Sequence, residues 1–245
     1  MSLQILLSGA TGAVGRAILD AIEADEHLAV AGEATQGRFF EPDVDADVIV
    51  DFSHPELLEK VLRFAVRRRI PLVTGTTGLE KDLQISLEEA ATVIPVCQAA
   101  NFSVGVNLLV RLARQAAGVL GEDFDIEILE AHHRRKLDAP SGTAIWLGEA
   151  VAEARGLDLA QAAVHDRSQE RHRRERSEIG FQAIRGGDVA GEHTVYFLAD
   201  GERLELVHRS TDRRVFARGA LMAARRIIDC PAGMLDFSSL ALDAR

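Results

Sequence analysis

Cysteine is scarce in this 245-residue chain: Cys97 and Cys230 are the only two. That is too few for a disulfide framework, and a reducing cytosol is the compartment expected. No apolar run approaches the roughly 20 residues that a membrane span needs. The amino terminus enters a strand-like run with neither a charged leader nor an apolar secretory core, so a cytoplasmic protein is expected. Positive charge is in deficit as well, since 28 Lys and Arg against 38 Asp and Glu leave a net charge of −10. This argues against non-specific nucleic-acid binding. The His-x-x-x-His and Cys-x-x-Cys spacings of zinc sites are missing, and no metal is expected. There is no internal repeat. What remains is a chain with an ordinary apolar fraction of 47%, enough for a substantial core in one large domain or two modest ones.

The first hundred residues alternate between strand-like and helix-like segments. Gln4 to Ser8, Leu28 to Ala31, Ala46 to Phe52, Pro71 to Thr74 and Val93 to Cys97 read as strands. Between them, Val14, Ile18 and Ile22 form a helical stripe, and Leu57 to Val66 and Leu79 to Ala91 read as helices. Pro55 suits a first helical turn, with Ser53 or His54 as its cap. Near-continuous apolar strands joined by helices predict a doubly wound parallel sheet of Rossmann type. After Phe102 the pattern changes. A long helix, Val104 to Leu120, precedes a strand at 124–130, where Phe124, Ile126 and Ile128 alternate with Asp125 and Glu127. A helix beginning near Thr143 carries Ile145, Leu147, Val151 and Ala152 and stops at Gly156. Strands follow at Ile179 to Arg185, His193 to Ala199 and Arg203 to His208, the last two joined by the hairpin pair Asp200-Gly201. This half reads as α+β with an open, mixed or antiparallel sheet. Val215 to Ile228 is helical again, with Ala220, Ala223, Ala224 and Ile227 on one side. The arginine-rich run Arg167 to Arg176 lacks apolar residues and reads as an exposed loop.

Two segments carry chemistry. Gly9, Gly12 and Gly15 form a G-x-x-G-x-x-G turn between a strand and a helix. Glycines there let the turn close, bring backbone N–H groups to a pyrophosphate and let the helix pack on the sheet. Such turns also occur without ligands. The acid that normally follows the second strand and bonds the adenosine ribose is absent: the run is Ala31-Gly32-Glu33-Ala34-Thr35-Gln36-Gly37-Arg38, and Thr35 stands at the acid's position. A 2′-phosphate then meets less repulsion, with Arg38 nearby to attract it or simply solvated. The second segment is Glu130-Ala131-His132-His133-Arg134-Arg135-Lys136-Leu137-Asp138-Ala139-Pro140-Ser141-Gly142-Thr143. It places titratable and cationic groups on a strand-to-helix connection. The helix start supplies N–H groups and the positive end of the macrodipole, which suits a carboxylate or phosphate. Adjacent in an extended segment, His132 and His133 point to opposite sides and cannot do the same job. Arg185 stands near the site in one reading and in the plainer one is a strand-end charge paired with Asp188, and it is not ranked with the core residues; His193 and His208 read as sheet residues.

The 130–144 string resembles the defining motif of the 4-hydroxy-tetrahydrodipicolinate reductase family. Val73-Thr74-Gly75-Thr76-Thr77-Gly78 and Ala99-Ala100-Asn101-Phe102-Ser103-Val104-Gly105 fit the same family in the same order. The resemblance runs from the amino terminus to about Met222. It implies reduction of a cyclic dicarboxylate by NADH or NADPH in diaminopimelate and lysine biosynthesis; where this chain departs from the pattern, with Thr35 in place of the acid and Arg38 close by, NADPH is expected to serve at least as well as NADH. It implies a nucleotide domain over 1–103 and 213–245, and a substrate and oligomerisation domain over 104–212 in a homotetramer, with the active site in the cleft between them. The cofactor residues it implies are Gly9, Ala10, Thr11, Gly12, Ala13, Val14, Gly75, Thr76, Thr77, Ala99, Ala100, Asn101 and Phe102. His132 is implied as the acid/base group, Lys136 as the proton donor, and His133, Gly142 and Thr143 as substrate contacts. Two alternatives stand beside this reading, another small-molecule dehydrogenase on the same nucleotide domain and a catalytically silent nucleotide sensor. The 130–144 string speaks against the first and the intact His132, Lys136 and Thr143 set against the second.

Overall fold

A computed structural model describes residues 2–168 and 173–243, and the chain divides into two compact units, Met1–Val104 with Arg213–Arg245, and Gly105–Asp212. The first unit opens with β1 (Leu3–Ser8), α1 (Ala13–Glu23), β2 (Leu28–Ala34), β3 (Val48–Asp51), α2 (Pro55–Arg68), β4 (Leu72–Thr74), α3 (Lys81–Ala91) and β5 (Pro95–Gln98). Every residue of β3 and β4 is buried, which is why these strands are apolar without alternation. Pro55 takes the first position of α2 behind His54, and Arg67 and Arg68 lie in its last turn, where they oppose the helix's negative end. β2 runs three residues further than its apolar run suggests, so Glu33 is a strand residue and Thr35 follows the strand's end.

The second unit contains α4 (Val104–Leu120), β6 (Asp125–His132), α5 (Gly142–Ala154), the short α6 (Leu159–Ala162), β7 (Ala163–Val164), β8 (Ile179–Arg185), β9 (Gly191–Ala199) and β10 (Glu202–Ser210). Its sheet has the order β10-β9-β6-β8-β7. β10, β9 and β6 are antiparallel, but β8 and β7 join parallel, so the sheet is mixed rather than antiparallel throughout. Ile126, Ile128, Phe181, Val195 and Phe197 share one face and pack with Leu147 and Val151 of α5 and Ala113 of α4. Gly201 closes the β9–β10 hairpin at a left-handed φ of 86°, the geometry that favours glycine there.

The arginine-rich run is more than an exposed loop. The Arg174 guanidinium reaches the Asp125 carboxylate at 2.6 Å and the carbonyls of Ile126 and Glu178 at 3.1 and 2.6 Å. Arg167 pairs with Glu127 at 2.8 Å and with Glu178 at 2.5 Å. The acidic positions that alternate along β6 are what these two arginines clamp. Arg173 and Arg176 are exposed, and Arg171 lies outside the described residues.

The chain then returns to the first unit as α7 (Arg214–Ile227), β11 (Gly233–Leu235) and α8 (Phe237–Leu242). β11 and α8 have too little periodicity to be read from sequence. β11 adds a sixth parallel strand beside β5, giving the order β11-β5-β4-β3-β1-β2. One face of this sheet is covered by α1, α7 and α8 around Ile18, Ile22, Phe102, Ala220, Ala224 and Phe237. The other is covered by α2 and α3 around Leu58, Val61, Phe64 and Leu87. Among the described residues no helix is long and apolar enough to cross a membrane.

Two helical glycines distinguish packing from propensity. A β-carbon at Gly219 in α7 would lie 1.7 Å from the Phe102 carbonyl oxygen, whereas one at Gly118 in α4 would meet nothing within 4 Å. Gly219→Ala should therefore destabilise by about 1–3 kcal/mol through overpacking. Gly118→Ala should stabilise by about 0.5–1 kcal/mol through helix propensity. Urea unfolding of both variants measures this, and equal shifts of the same sign would refute the close approach of α7 to Phe102.

Candidate active site

The core face of the second unit's sheet does not stay apolar to its end. Ile126 and Ile128 are followed at the same two-residue period by Glu130 and His132, while β8 presents Arg185 beside His132 and β9 presents His193 beside Glu130. The alternation that builds the core therefore carries four polar side chains to one end of it.

Glu130 is 1% exposed and accepts four hydrogen bonds. The Arg185 guanidinium grips it with two nitrogens, both at 2.6 Å. His132 Nδ1 lies at 2.6 Å, and the Ser141 backbone N–H donates to it at 3.1 Å. Burial alone would push the carboxyl up, but the bonds from Arg185 and His132 outweigh it and hold Glu130 below its ordinary value. Glu130 is therefore an anion and can only accept, which places the His132 proton on Nδ1 and leaves the Nε2 lone pair available. Burial lowers the His132 pKa, against the opposing pull of Glu130, so the ring is neutral at neutral pH. Arg185 also donates to the Asp138 carbonyl at 2.7 Å, which ties the 133–140 connection to the same carboxylate. Of the two readings of Arg185, the bidentate grip favours a place beside His132 over a pairing with Asp188, because β8 lies parallel to β6 in a register that sets Arg185 opposite His132.

Ser141 caps α5, its hydroxyl accepting from the Ala144 N–H at 3.2 Å and lying 3.1 Å from His193 Nε2. Burial pushes the His193 ring down to about 4, so it is neutral. Gly142 and Thr143 stand in the first turn of α5, at the positive end of its dipole. Lys136 is held by an ion pair with Asp138 at 2.8 Å. The His133 N–H donates to the Val189 carbonyl, and its side chain Nδ1 is buried. Thus Glu130 directly joins His132 and the α5 start, and through Arg185 it reaches the connection carrying Lys136. Sequence reading placed Arg185 near this set without ranking it there, and left Glu130, Ser141 and His193 out. The i, i+2 spacing of Glu130 and His132 was the available signal.

In the first unit the glycine turn has the shape an anion site requires. A β-carbon at Gly9 would lie 2.2 Å from the Phe52 carbonyl oxygen, and one at Gly15 would lie 2.2 Å from that of Gly9. Gly9 also has a left-handed φ of 84°. Thr11, Gly12 and Ala13 are exposed, Val14 is half-buried and Ala10 is buried. Helix α1 starts behind Gly12 with no side-chain cap and no acid in its first turn, so no side chain of that turn competes with a pyrophosphate for its backbone donors. Arg16, which sequence reading missed, lies on the same turn with Nε 3.0 Å from the Thr11 carbonyl. These residues fit a dinucleotide's phosphates. Thr35 closes a tight turn with Arg38, its N–H 2.8 Å from the Arg38 carbonyl, beside a groove of about 350 Å³ that Lys60 also lines.

The two remaining loops are mixed. Thr77 and Ala100 are exposed, and Gly75, Ala99 and Asn101 are half-buried. Thr76 is buried with its hydroxyl bonded to Asp51 at 2.6 Å. Phe102 is 1% exposed and packs on Phe52 and Phe237, so its side chain belongs to the core. Asn101 Oδ1 accepts from the Ser103 N–H at 2.8 Å, just ahead of α4. Among the described residues no group of three or more His, Cys, Asp or Glu side chains is placed to hold a metal ion.

Comparison with known proteins bears on both units. The family model described as "Dihydrodipicolinate reductase, N-terminus" matches residues 3–102, and "Dihydrodipicolinate reductase, C-terminus" matches residues 105–240. A 4-hydroxy-tetrahydrodipicolinate reductase of Pseudoalteromonas translucida is 42% identical over 254 aligned positions, covering 95% of each chain. One from Pseudomonas fluorescens is 46% identical over all of this chain and 92% of its own. A solved dihydrodipicolinate reductase from Paenisporosarcina, bound to dipicolinate, shares the fold with a TM-score of 0.77 at 20% identity, covering 99% of this chain and 100% of its own. With both of its halves matched and relatives this similar along nearly its whole length, the chain belongs to the dihydrodipicolinate reductase family.

Proposed function

We propose that this protein catalyses the NAD(P)H-dependent reduction of 4-hydroxy-tetrahydrodipicolinate to tetrahydrodipicolinate, with loss of water, in diaminopimelate and lysine biosynthesis. The observation that carries this reading is the buried carboxylate of Glu130, which gathers His132, the α5 start and the connection bearing Lys136 into one place. Family membership supplies the substrate class. In this reading the first unit, 1–103 with 213–245, holds the cofactor, and 104–212 holds the dicarboxylate. The glycine turn at Gly9 to Val14 takes the pyrophosphate, and Gly75, Thr77, Ala99, Ala100 and Asn101 line the nicotinamide half. Thr76 and Phe102 contribute their backbone, since their side chains are turned inward. When bound, the cofactor supplies a hydride for the ring carbon C4.

The chain's own residues bind, orient and manage protons. Gly142 and Thr143 at the positive end of α5 hold one substrate carboxylate, and His133 contacts the substrate. Lys136 leaves Asp138 for the substrate, balances its charge and donates the proton that completes the reduction. His132, neutral with Nε2 open, accepts or relays a proton beside it. The protein works in the cytoplasm as a homotetramer. The sheet face opposite the core, where Ile184 and Val207 are 52% and 43% exposed, supports self-association.

A coupled assay tests the reading, with the substrate formed in place by its synthase and oxidation of NADH or NADPH followed. Wild type should turn over, and Lys136→Ala should lower turnover by about two to four orders of magnitude with cofactor binding little changed. Near-normal turnover in the variant would remove the lysine from the mechanism.

The pH dependence of kcat/KM tests the role of Glu130. Its charge favours protonated His132, so in Glu130→Gln the limb that reports His132 should move to lower pH, with lower turnover. A limb that stays in place would mean that the profile reports another group.

Cofactor preference follows from the end of β2. No carboxylate stands at Thr35 itself to repel a 2′-phosphate, and Arg38 and Lys60 outnumber Glu56 in the lining of the adjoining groove, so NADPH should serve at least as well as NADH. Thr35→Asp should shift the ratio of catalytic efficiencies toward NADH by about 1–3 kcal/mol. A wild-type enzyme that strongly favours NADH and is indifferent to this substitution would place the ribose elsewhere.

A further inference from the structure

Asp51 ends β3 and is fully buried. Its carboxylate accepts from three hydroxyls: Ser53 at 2.6 Å, Thr74 at 2.8 Å and Thr76 at 2.6 Å. Two of these hydroxyls accept in turn, Thr76 Oγ1 from the Ser53 N–H at 3.1 Å and Thr74 Oγ1 from the Thr76 N–H at 3.3 Å. The Asp51 carbonyl takes the Gly75 N–H at 2.8 Å. One residue thus fastens the segment after β3 to the loop after β4.

The residue between these partners extends the link to a third loop. Phe52 donates its N–H to Ser8, the last residue of β1, at 3.0 Å. A β-carbon on Gly75 would lie 2.3 Å from its ring, and one on Gly9 would lie 2.2 Å from its carbonyl oxygen. The glycine turn, the segment 52–54 and the loop 75–77 therefore meet without slack, and the buried carboxylate sets where the last two stand. Burying a carboxylate among hydroxyls alone is costly compared with apolar packing. Its effect is directional, since Thr76 is pulled inward and the neighbouring Thr77 is left exposed.

We propose that Asp51 is a positioning residue for the nicotinamide cofactor, holding the 75–77 loop and, through Phe52, the glycine turn in one fixed relation. This rests on the dinucleotide reading of those loops. Asp51 acts through its neighbours and touches neither the cofactor nor the reacting atoms.

The test is Asp51→Asn, which keeps the shape and removes the charge. Deleting a negative charge near a bound anion would tighten binding by Coulomb's law. Loss of positioning would loosen it, so the two effects differ in sign. The NADPH dissociation constant, read from nicotinamide fluorescence without substrate, should rise by about ten-fold or more. The Michaelis constant for the dicarboxylate should be unchanged. A dissociation constant within about two-fold of wild type, or a lower one, would overturn the proposal even if the melting temperature fell, because Asp51 would then serve stability alone. If Asp51→Asn does not fold, Thr76→Val, which leaves the carboxylate two hydroxyls, should weaken NADPH in the same direction. Unchanged binding there would overturn the proposal equally. A wild-type protein that bound neither NADPH nor NADH would overturn the dinucleotide reading itself and the proposal with it, whereas wild-type binding with an unaltered variant would overturn the proposal alone.

Discussion

The carboxylate of Glu130 has been taken out of water, and the second unit is organised around satisfying it. An isolated carboxylate in such a place would protonate or destabilise the fold by several kcal/mol. Here Arg185 grips it with two nitrogens, His132 donates from its ring and the α5 start donates a backbone N–H. Each partner arrives from a different element, so the charge dictates where β8, the end of β6 and the beginning of α5 stand with respect to one another. The same bonds set the His132 tautomer. A structural constraint and a chemical one are met by one group.

Asp51 is the counterpart in the first unit, with hydroxyls in place of a guanidinium. Asp51 ends the apolar strand β3, Glu130 follows Ile126 and Ile128 on the core face of β6, and both lie close to loops with proposed ligand roles. Open α/β sheets bind ligands at the carboxyl ends of their strands because the helices that follow expose their positive ends there. That edge is also where core packing runs out. A buried charge can still hold loops there, at a point where apolar contacts are too few and too undirected to do so.

Long, strongly periodic segments were legible without coordinates. Helix α4 and strand β8 begin and end where their patterns do, at Val104 and Leu120 and at Ile179 and Arg185. The hairpin at Asp200-Gly201 was legible because its turn demands a residue tolerant of positive φ. Strands β7 and β11 were not, since two or three residues hold no period, and pairing with a neighbour is all that defines them. The parallel placement of β8 beside β6 was hidden for a related reason: alternation tells which face a residue takes, not the direction of its neighbour. For the same reason the arginine-rich run read as solvated, although Arg167 and Arg174 reach acids on β6 that lie 40 and 49 residues away.

The sequence by itself determined the local chemistry of this protein. The glycine turn, the missing acid at Thr35 and the cluster from His132 to Thr143 are each contained in a short stretch of chain, and short-range pattern is what sequence displays. Only the tertiary structure decided which of those groups act together. Glu130 meets Arg185 55 positions later because β6 and β8 are in one register, and Thr76 turns away from solvent because Asp51 lies 25 positions earlier on the adjacent strand. Residue type sets what a side chain can donate or accept. Strand register and burial set which partner it finds, and those are properties of the folded chain as a whole.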